Sequence, residues 1–168
     1  MLDGHGICLH SSVIGRNKDY RTLVILVEFA LTKPQLFGQS IGGAVCLYAG
    51  QKFSSLVSGI IIENTFVSLP SLIPHVMPQL PKVLLPLLLT ERWDAAKAMP
   101  HIPPQTPILF MSGLRDELVP PSQMLALKKM REGGRNTWRE FDGQHNDTFL
   151  CQGYFKEVEA WLKEEVLQ

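Results

Sequence analysis

Three features of the 168-residue sequence predict an α/β domain with a mostly parallel sheet and helices on both its faces. The runs GIIIE (Gly59–Glu63) and PILFMS (Pro107–Ser112) are short, continuous and apolar, as strands buried on both faces are. Stretches with helical spacing and helix-end signals stand between and after them. A small-residue turn, GQSIGG (Gly38–Gly43), joins the apolar pair Leu36-Phe37 to a helix-like segment.

Each element follows from its own residues. Residues 1–22 show no periodicity and read as irregular, and Leu23–Leu31 is too short a run to assign to helix or strand. Leu36-Phe37 reads as a strand end, and Ala44–Gln51 (AVCLYAGQ) as a helix packed on the sheet. From Leu69 to Pro107 the chain holds most of its twelve prolines, set among Leu, Met and Val without alternation. Such a stretch is no central strand. Short helices broken at Pro70, Pro74, Pro78, Pro81 and Pro86 are expected, forming a lid-like insertion over residues 69–106. Ser122–Arg131 reads as a helix, with Pro120-Pro121 at its start and Gly133-Gly134 past its end. TWREF (Thr137–Phe141) is a third strand. In the last helix, Gly153–Leu167, residues Phe155, Val158, Leu162 and Val166 recur at three- and four-residue spacing, and Glu159 and Lys163 form a favourable pair one turn apart. The whole reads as one domain, 1–168, with an atypical segment at 1–34.

Composition narrows the function. Sixteen basic residues balance sixteen acidic ones, so the net charge is zero and the chain lacks the electrostatic footprint of a nucleic-acid binder. Cys8, Cys46 and Cys151 are widely spaced, with no CxxC and no histidine at ligand spacing, which reads as free thiols in a reducing compartment and no metal site. The apolar runs Leu23–Val27 and Val83–Leu89 fall far short of the about 20 residues that cross a bilayer, and no signal peptide is visible. Taken alone, the sequence reads as cytoplasmic.

In a parallel sheet, functional groups collect in loops at the carboxyl ends of strands. Ser40 follows the first strand, Asp116 follows PILFMS, and His145 follows TWREF. G-x-S-x-G alone is a weak signal, and each residue has a plainer reading as turn serine, helix cap or loop histidine. Three fitting residue types in the order Ser, Asp, His, each just after a strand, point instead to a nucleophile elbow with its base and acid. In that arrangement Ser40 attacks, His145 takes its proton, Asp116 orients the imidazole, and the amide of Ile41 donates to the oxyanion. Gly38 and Gly42 flank the serine, where side chains would collide. Glu63 also ends a strand and is the second choice of acid. Asp142 and Asp147 lie too near His145 along the chain, His75 and His101 fall in the proline-rich insertion, and His5 and His10 lie in the irregular start.

The stretches FGQSIGGAV, IIENTF, PILFMSGLRDELVPP and GQHNDTFLCQGYF resemble the serine hydrolases of the α/β-hydrolase superfamily, more narrowly its Bem-forty-six-like branch, from about Gln35 to the carboxyl end. The resemblance implies the α/β-hydrolase fold, a triad of Ser40, Asp116 and His145, a small-molecule or lipid-like acyl ester or thioester substrate, a lid, and no cofactor. It also implies association with membranes through an anchor ahead of the residues seen here. Members of the branch carry more strands before the elbow and a His-Gly loop supplying a second oxyanion amide. GHG at 4–6 and DYR at 19–21 echo family motifs in surroundings that do not match. On that comparison the sequence reads as truncated, with early strands missing and a bare sheet edge open to self-association. The alternative expectation is a weak or inactive remnant serving as an interaction module.

Overall fold

The computed structural model describes residues 8–12, 24–28, 34–81 and 93–166, the first two stretches by their backbone alone. Among these residues the strands are β1 (Cys8–Ser12), β2 (Val24–Glu28), β3 (Gln35–Gln39), β4 (Gly59–Glu63), β5 (Ile108–Gly113) and β6 (Asn136–Phe141). The helices are α1 (Ile41–Lys52), α2 (Leu69–Val76), α3 (Ala95–Ala98), α4 (Pro121–Lys129) and α5 (Tyr154–Trp161). The strands form one sheet in the order β1-β2-β3-β4-β5-β6. From β3 to β6 the pairing is parallel, as the alternation of strands and helices requires.

Alternation along the central strands divides the core. Ile60, Ile62, Ile108 and Phe110 join a cluster with Cys46 and Leu47 of α1 and Met124 and Leu127 of α4. Their neighbours Ile61, Leu109 and Met111 meet Phe141, Tyr154 and Trp161 on the opposite face. Both faces of β4 and β5 are therefore dry, which is why these strands read as unbroken apolar runs. Cys46 sits in the first cluster, where burial pushes its thiol up to about 12 and leaves it unreactive.

Four expectations change. The irregular start contains a strand: Cys8–Ser12 pairs antiparallel with Val24–Glu28, which settles that part of the ambiguous Leu23–Leu31 run as extended chain. The edge of β3, expected bare, is taken by β2, with Ile25 opposite Phe37 and Val27 opposite Gln35. Backbone hydrogen bonds of an edge can be satisfied by any extended segment that reaches it. The helix after the elbow starts at Ile41, three residues before the predicted Ala44. The fourth change concerns the proline-rich insertion. Its first part holds α2, with Pro70 in the first turn and Pro74 inside, but Ala95, Ala98, Met99 and Ile102 are buried against α1 and belong to the core. Residues 82–92, including the whole Val83–Leu89 run, lie outside the described residues, as do GHG, DYR and Leu167.

The last helix keeps its predicted start within one residue and passes at Leu162–Val166 into a wider helical turn. Buried Arg131, just past α4, donates to the carbonyls of Pro103 and Thr106, both at 2.6 Å, and fixes the approach to β5. A methyl group on Gly38 would lie 2.2 Å from the carbonyl oxygen of Gly42 and 2.7 Å from Cys46 Sγ. Since the first neighbour is backbone of the following helix, Gly38→Ala is expected to destabilise the fold by about 1–3 kcal/mol, read as a lower midpoint in urea denaturation.

Candidate active site

Ser40 occupies the turn between β3 and α1 with φ 54° and ψ −123°, a backbone region that costs a residue with a side chain free energy. Its surroundings hold it there. The Ser40 amide donates to the carbonyl of Glu63 at 2.9 Å, and its own carbonyl accepts from the amide of Gly43 at 3.0 Å and from Thr65 Oγ1 at 2.6 Å. Gly42 contributes the carbonyl that crowds Gly38, while a Cβ on Gly43 would meet Thr65 Cβ at 2.6 Å. The turn therefore closes only on small residues. Ile41 is the first residue of α1, so its amide is one of the first-turn donors that a helix leaves without an internal partner.

Asp116 and His145 meet. Asp116 Oδ2 lies 2.7 Å from His145 Nδ1, and both residues are buried. Asp116 Oδ1 accepts from the amides of Leu118 at 2.9 Å and Val119 at 2.8 Å, so the carboxylate is fixed before it reaches the ring. Asp116 therefore holds the turn that leads into α4 rather than capping that helix, which has no side-chain cap, and it pairs with the histidine as well. A carboxylate only accepts, so Nδ1 carries the proton and Nε2 is left as the basic nitrogen. A shallow cavity of about 220 Å³ opens beside the ring, lined by Glu117, Leu118, Gln144, Asn146 and Asp147.

No direct hydrogen bond joins Ser40 Oγ to the imidazole among the described residues. Gln39 links the two instead: it precedes the serine, and its Nε2 donates to the carbonyl of His145 at 2.6 Å. The rival acids are placed elsewhere. Glu63 ends β4 and takes a hydrogen bond from Tyr154 Oη rather than from the imidazole. Asp142 is paired with Arg115 at 2.8 Å, and Asp147 accepts from the amide of Gln144. His75 and His101 are exposed, and His101 Nδ1 lies 2.8 Å from the carbonyl of Lys97. His5 lies outside the described residues, and only the backbone of His10 is described.

Asn64 was not singled out by spacing, yet it organises the site. Its Oδ1 accepts from the amide of Gly113 at 2.7 Å. Its Nδ2 donates to the carbonyl of His145 at 3.1 Å and to Thr148 Oγ1 at 2.8 Å. The backbone at Asn64 has φ 46°, a region that asparagine enters more readily than most residues. Its signal in the sequence is the ENTF stretch, and that of Thr148 is HNDT.

No family model matches the chain. It is similar to an uncharacterized membrane protein of Saccharomyces cerevisiae, 40% identical over 131 residues that make up 77% of this chain and 45% of the yeast protein. It is also similar to protein bem46 of Schizosaccharomyces pombe, at 37% identity over 79% of this chain and 44% of that protein. A third relative is the alpha/beta hydrolase domain-containing protein WAV2 of Arabidopsis thaliana, at 34% identity over 70% of this chain and 42% of the plant protein. The chain belongs to the α/β-hydrolase superfamily. It spans about half the length of the curated relatives it matches. Solved α/β-hydrolase structures share its fold. One is an enzyme from a lagoon-sediment metagenome of Mar Chica, Morocco, with TM-score 0.57 and 20% identity over 79% of this chain and 62% of that one. Another is a monoacylglycerol lipase of Paleococcus ferrophilus, with TM-score 0.55 and 17% identity over 81% of this chain and 69% of the lipase. Among the described residues of this α/β-hydrolase chain, no helix is long and apolar enough to cross a membrane.

Two outcomes follow from these contacts. Asn64→Ala strands the buried amide of Gly113, and we expect a loss of about 1–3 kcal/mol in chemical denaturation. Burial raises the carboxyl of Glu63 above its ordinary range, against smaller lowering effects of the Tyr154 hydrogen bond and the charge of His145, while Asp116 raises it further. The folded protein therefore holds that proton to higher pH than the unfolded chain does. This contribution to stability is full below the unfolded-state value and is lost as pH rises through the folded one. Glu63→Gln should flatten the fall in melting temperature above about pH 4.5, measured against wild type across the pH series.

Proposed function

We propose that the chain is a serine hydrolase that cleaves a carboxylic ester or thioester through an acyl-enzyme. The observation that carries this reading is the buried 2.7 Å contact between His145 Nδ1 and Asp116 Oδ2, formed beside a serine turn at positive φ. A capping carboxylate and an ordinary loop histidine have no reason to meet in the interior. The exposed apolar side chains of Leu114 and Leu118 on the Asp116 loop, and of Phe149 and Leu150 beyond His145, favour a hydrophobic or lipid-like acyl substrate.

The proposed reaction starts with attack of Ser40 Oγ on the acyl carbonyl carbon while His145 Nε2 takes the hydroxyl proton. The negative charge that develops on the carbonyl oxygen is bound by the amide of Ile41 at the start of α1. Asp116 holds the ring and stabilises the imidazolium. Collapse breaks the bond to the alcohol or thiol, which leaves with the proton from Nε2. Water then gives its proton to Nε2 and attacks the acyl-serine, releasing the acid and restoring the hydroxyl. A hydroxyl–imidazole hydrogen bond that is open at rest is compatible with this sequence, because catalytic contacts often tighten only around substrate.

A fluorophosphonate probe should label the folded wild-type protein and not Ser40→Ala. Asp116→Asn should lower kcat by roughly 10³–10⁴-fold while leaving the circular-dichroism spectrum unchanged. Absence of labelling on a monodisperse, folded protein would overturn the proposal in favour of a non-catalytic interaction module.

A further inference from the structure

Close to the Asp116–His145 pair lies a second buried carboxyl that none of these steps uses. Glu63 ends β4 in register with Gln39 of β3 and Met111 of β5, which sets it at the same rim as the serine turn. The residue is 2% exposed. Its side chain accepts a hydrogen bond from Tyr154 Oη at the start of α5, and the Tyr154 ring is wedged against Phe141 at 5.3 Å between centroids. Its main-chain carbonyl accepts the Ser40 amide at 2.9 Å. The groups that act electrostatically on the Glu63 carboxyl are His145 from the loop after β6 and Asp116 from the loop after β5. Tyr154 acts on it from α5, and Cys151 also lies within its field. Glu117 and Asp147 line the cavity beside His145, but on its more exposed side.

A carboxyl buried in a dry site with a phenol as its side-chain partner is costly, and an apolar residue would pack there at less expense. The arrangement becomes favourable whenever the neighbouring imidazole carries a proton. We propose that Glu63, clamped by Tyr154, is a positioning residue for the hydrolysis: it stabilises the imidazolium formed at His145 in each proton transfer, while its carbonyl holds the amide of Ser40. This inference rests on the hydrolase reading above and deepens it. Coupling of this kind is reciprocal, so a charge on His145 that favours ionised Glu63 is favoured by Glu63 to the same extent. Tyr154 offsets part of the effect of burial on the carboxylate, because its hydroxyl donates to the ionised form.

The test has two readouts. Carbon-13 spectra of glutamate-labelled protein follow the titration of the Glu63 carboxyl, identified by the resonance lost in Glu63→Gln or Glu63→Asp. His145→Gln removes the countercharge and should raise the Glu63 midpoint by roughly 0.5–1 pH unit, and Tyr154→Phe should also raise it. In the pH dependence of kcat/KM, Glu63→Gln and Tyr154→Phe should both move the acid limb to lower pH, whereas Asp116→Asn depresses the rate at every pH. An unmoved Glu63 midpoint in His145→Gln overturns the proposal. So does an unmoved acid limb in a folded Glu63→Gln or, if that variant does not fold, in Tyr154→Phe. Wild-type protein without Ser40-dependent turnover would overturn the hydrolase reading, and the spectra would still decide whether Glu63 and His145 are coupled.

Discussion

The side-chain amide of Asn64 makes the site one object rather than three loops. It sits just past β4 and satisfies the first amide beyond the apolar run of β5, the carbonyl of His145, and the hydroxyl of Thr148. Its chain neighbour Thr65 reaches in the other direction and bonds the carbonyl of Ser40. Two consecutive residues therefore tie the serine turn after β3, the last residue of β5 and the loop after β6 to one strand end. Loops joined only by their strands drift by an ångström or more, which is enough to separate a base from its nucleophile. A buried primary amide with both donor and acceptor atoms engaged leaves little room for such drift, because each lost bond exposes a desolvated partner.

The same rim carries two acidic side chains with different environments. Asp116 is offered two backbone amides on one oxygen and an imidazole nitrogen on the other. Glu63 is offered one phenol amid apolar rings, and burial dominates, raising its carboxyl out of the ordinary range. Residue type alone does not separate them, since one ends a strand and the other stands in the loop after one, at the same rim of the sheet. The number of backbone donors does. A Leu-Val turn after Asp116 presents its amides to the carboxylate, whereas the residues after Glu63 spend theirs on Met111 and Met124.

This explains how much of the molecule was legible in its sequence. The strands β4, β5 and β6 and the helix α4 were read almost to the residue, because burial on both faces or proline and glycine at the ends leaves a local mark. The places of Ser40, Asp116 and His145 after strands were legible because the strands themselves leave a mark. β1 was not: CLHSS has neither an apolar run nor a clear period, and its pairing with β2 is a long-range fact. The proline-rich stretch misled in the opposite way. Its composition marks broken helices, but Ala95, Ala98, Met99 and Ile102 are small or flexible enough to fit against α1, a choice visible only once α1 is placed. Asn64 and Gln39 act through side-chain bonds that span some 80 or more positions in sequence, and no local pattern reports them.

The strain at Ser40 has to be offset by something rigid, and the composition of α1 supplies it. Gly42, Gly43, Ala44, Cys46, Leu47, Ala49 and Gly50 are all buried, so the helix is enclosed on nearly every side and has almost no solvated face. Small residues let it approach the sheet closely: a Cβ on Gly50 would strike Ile60 at 2.3 Å, and one on Gly43 would strike Thr65. A helix so tightly held cannot unwind its first turn to relax the serine, because doing so would pull apolar atoms from the core at a cost of about 25 cal/mol for each Å² exposed. The chain therefore concentrates glycine where an ordinary helix would exclude it. It gives up intrinsic helix propensity along α1 and gains a fixed, half-buried serine turn in return.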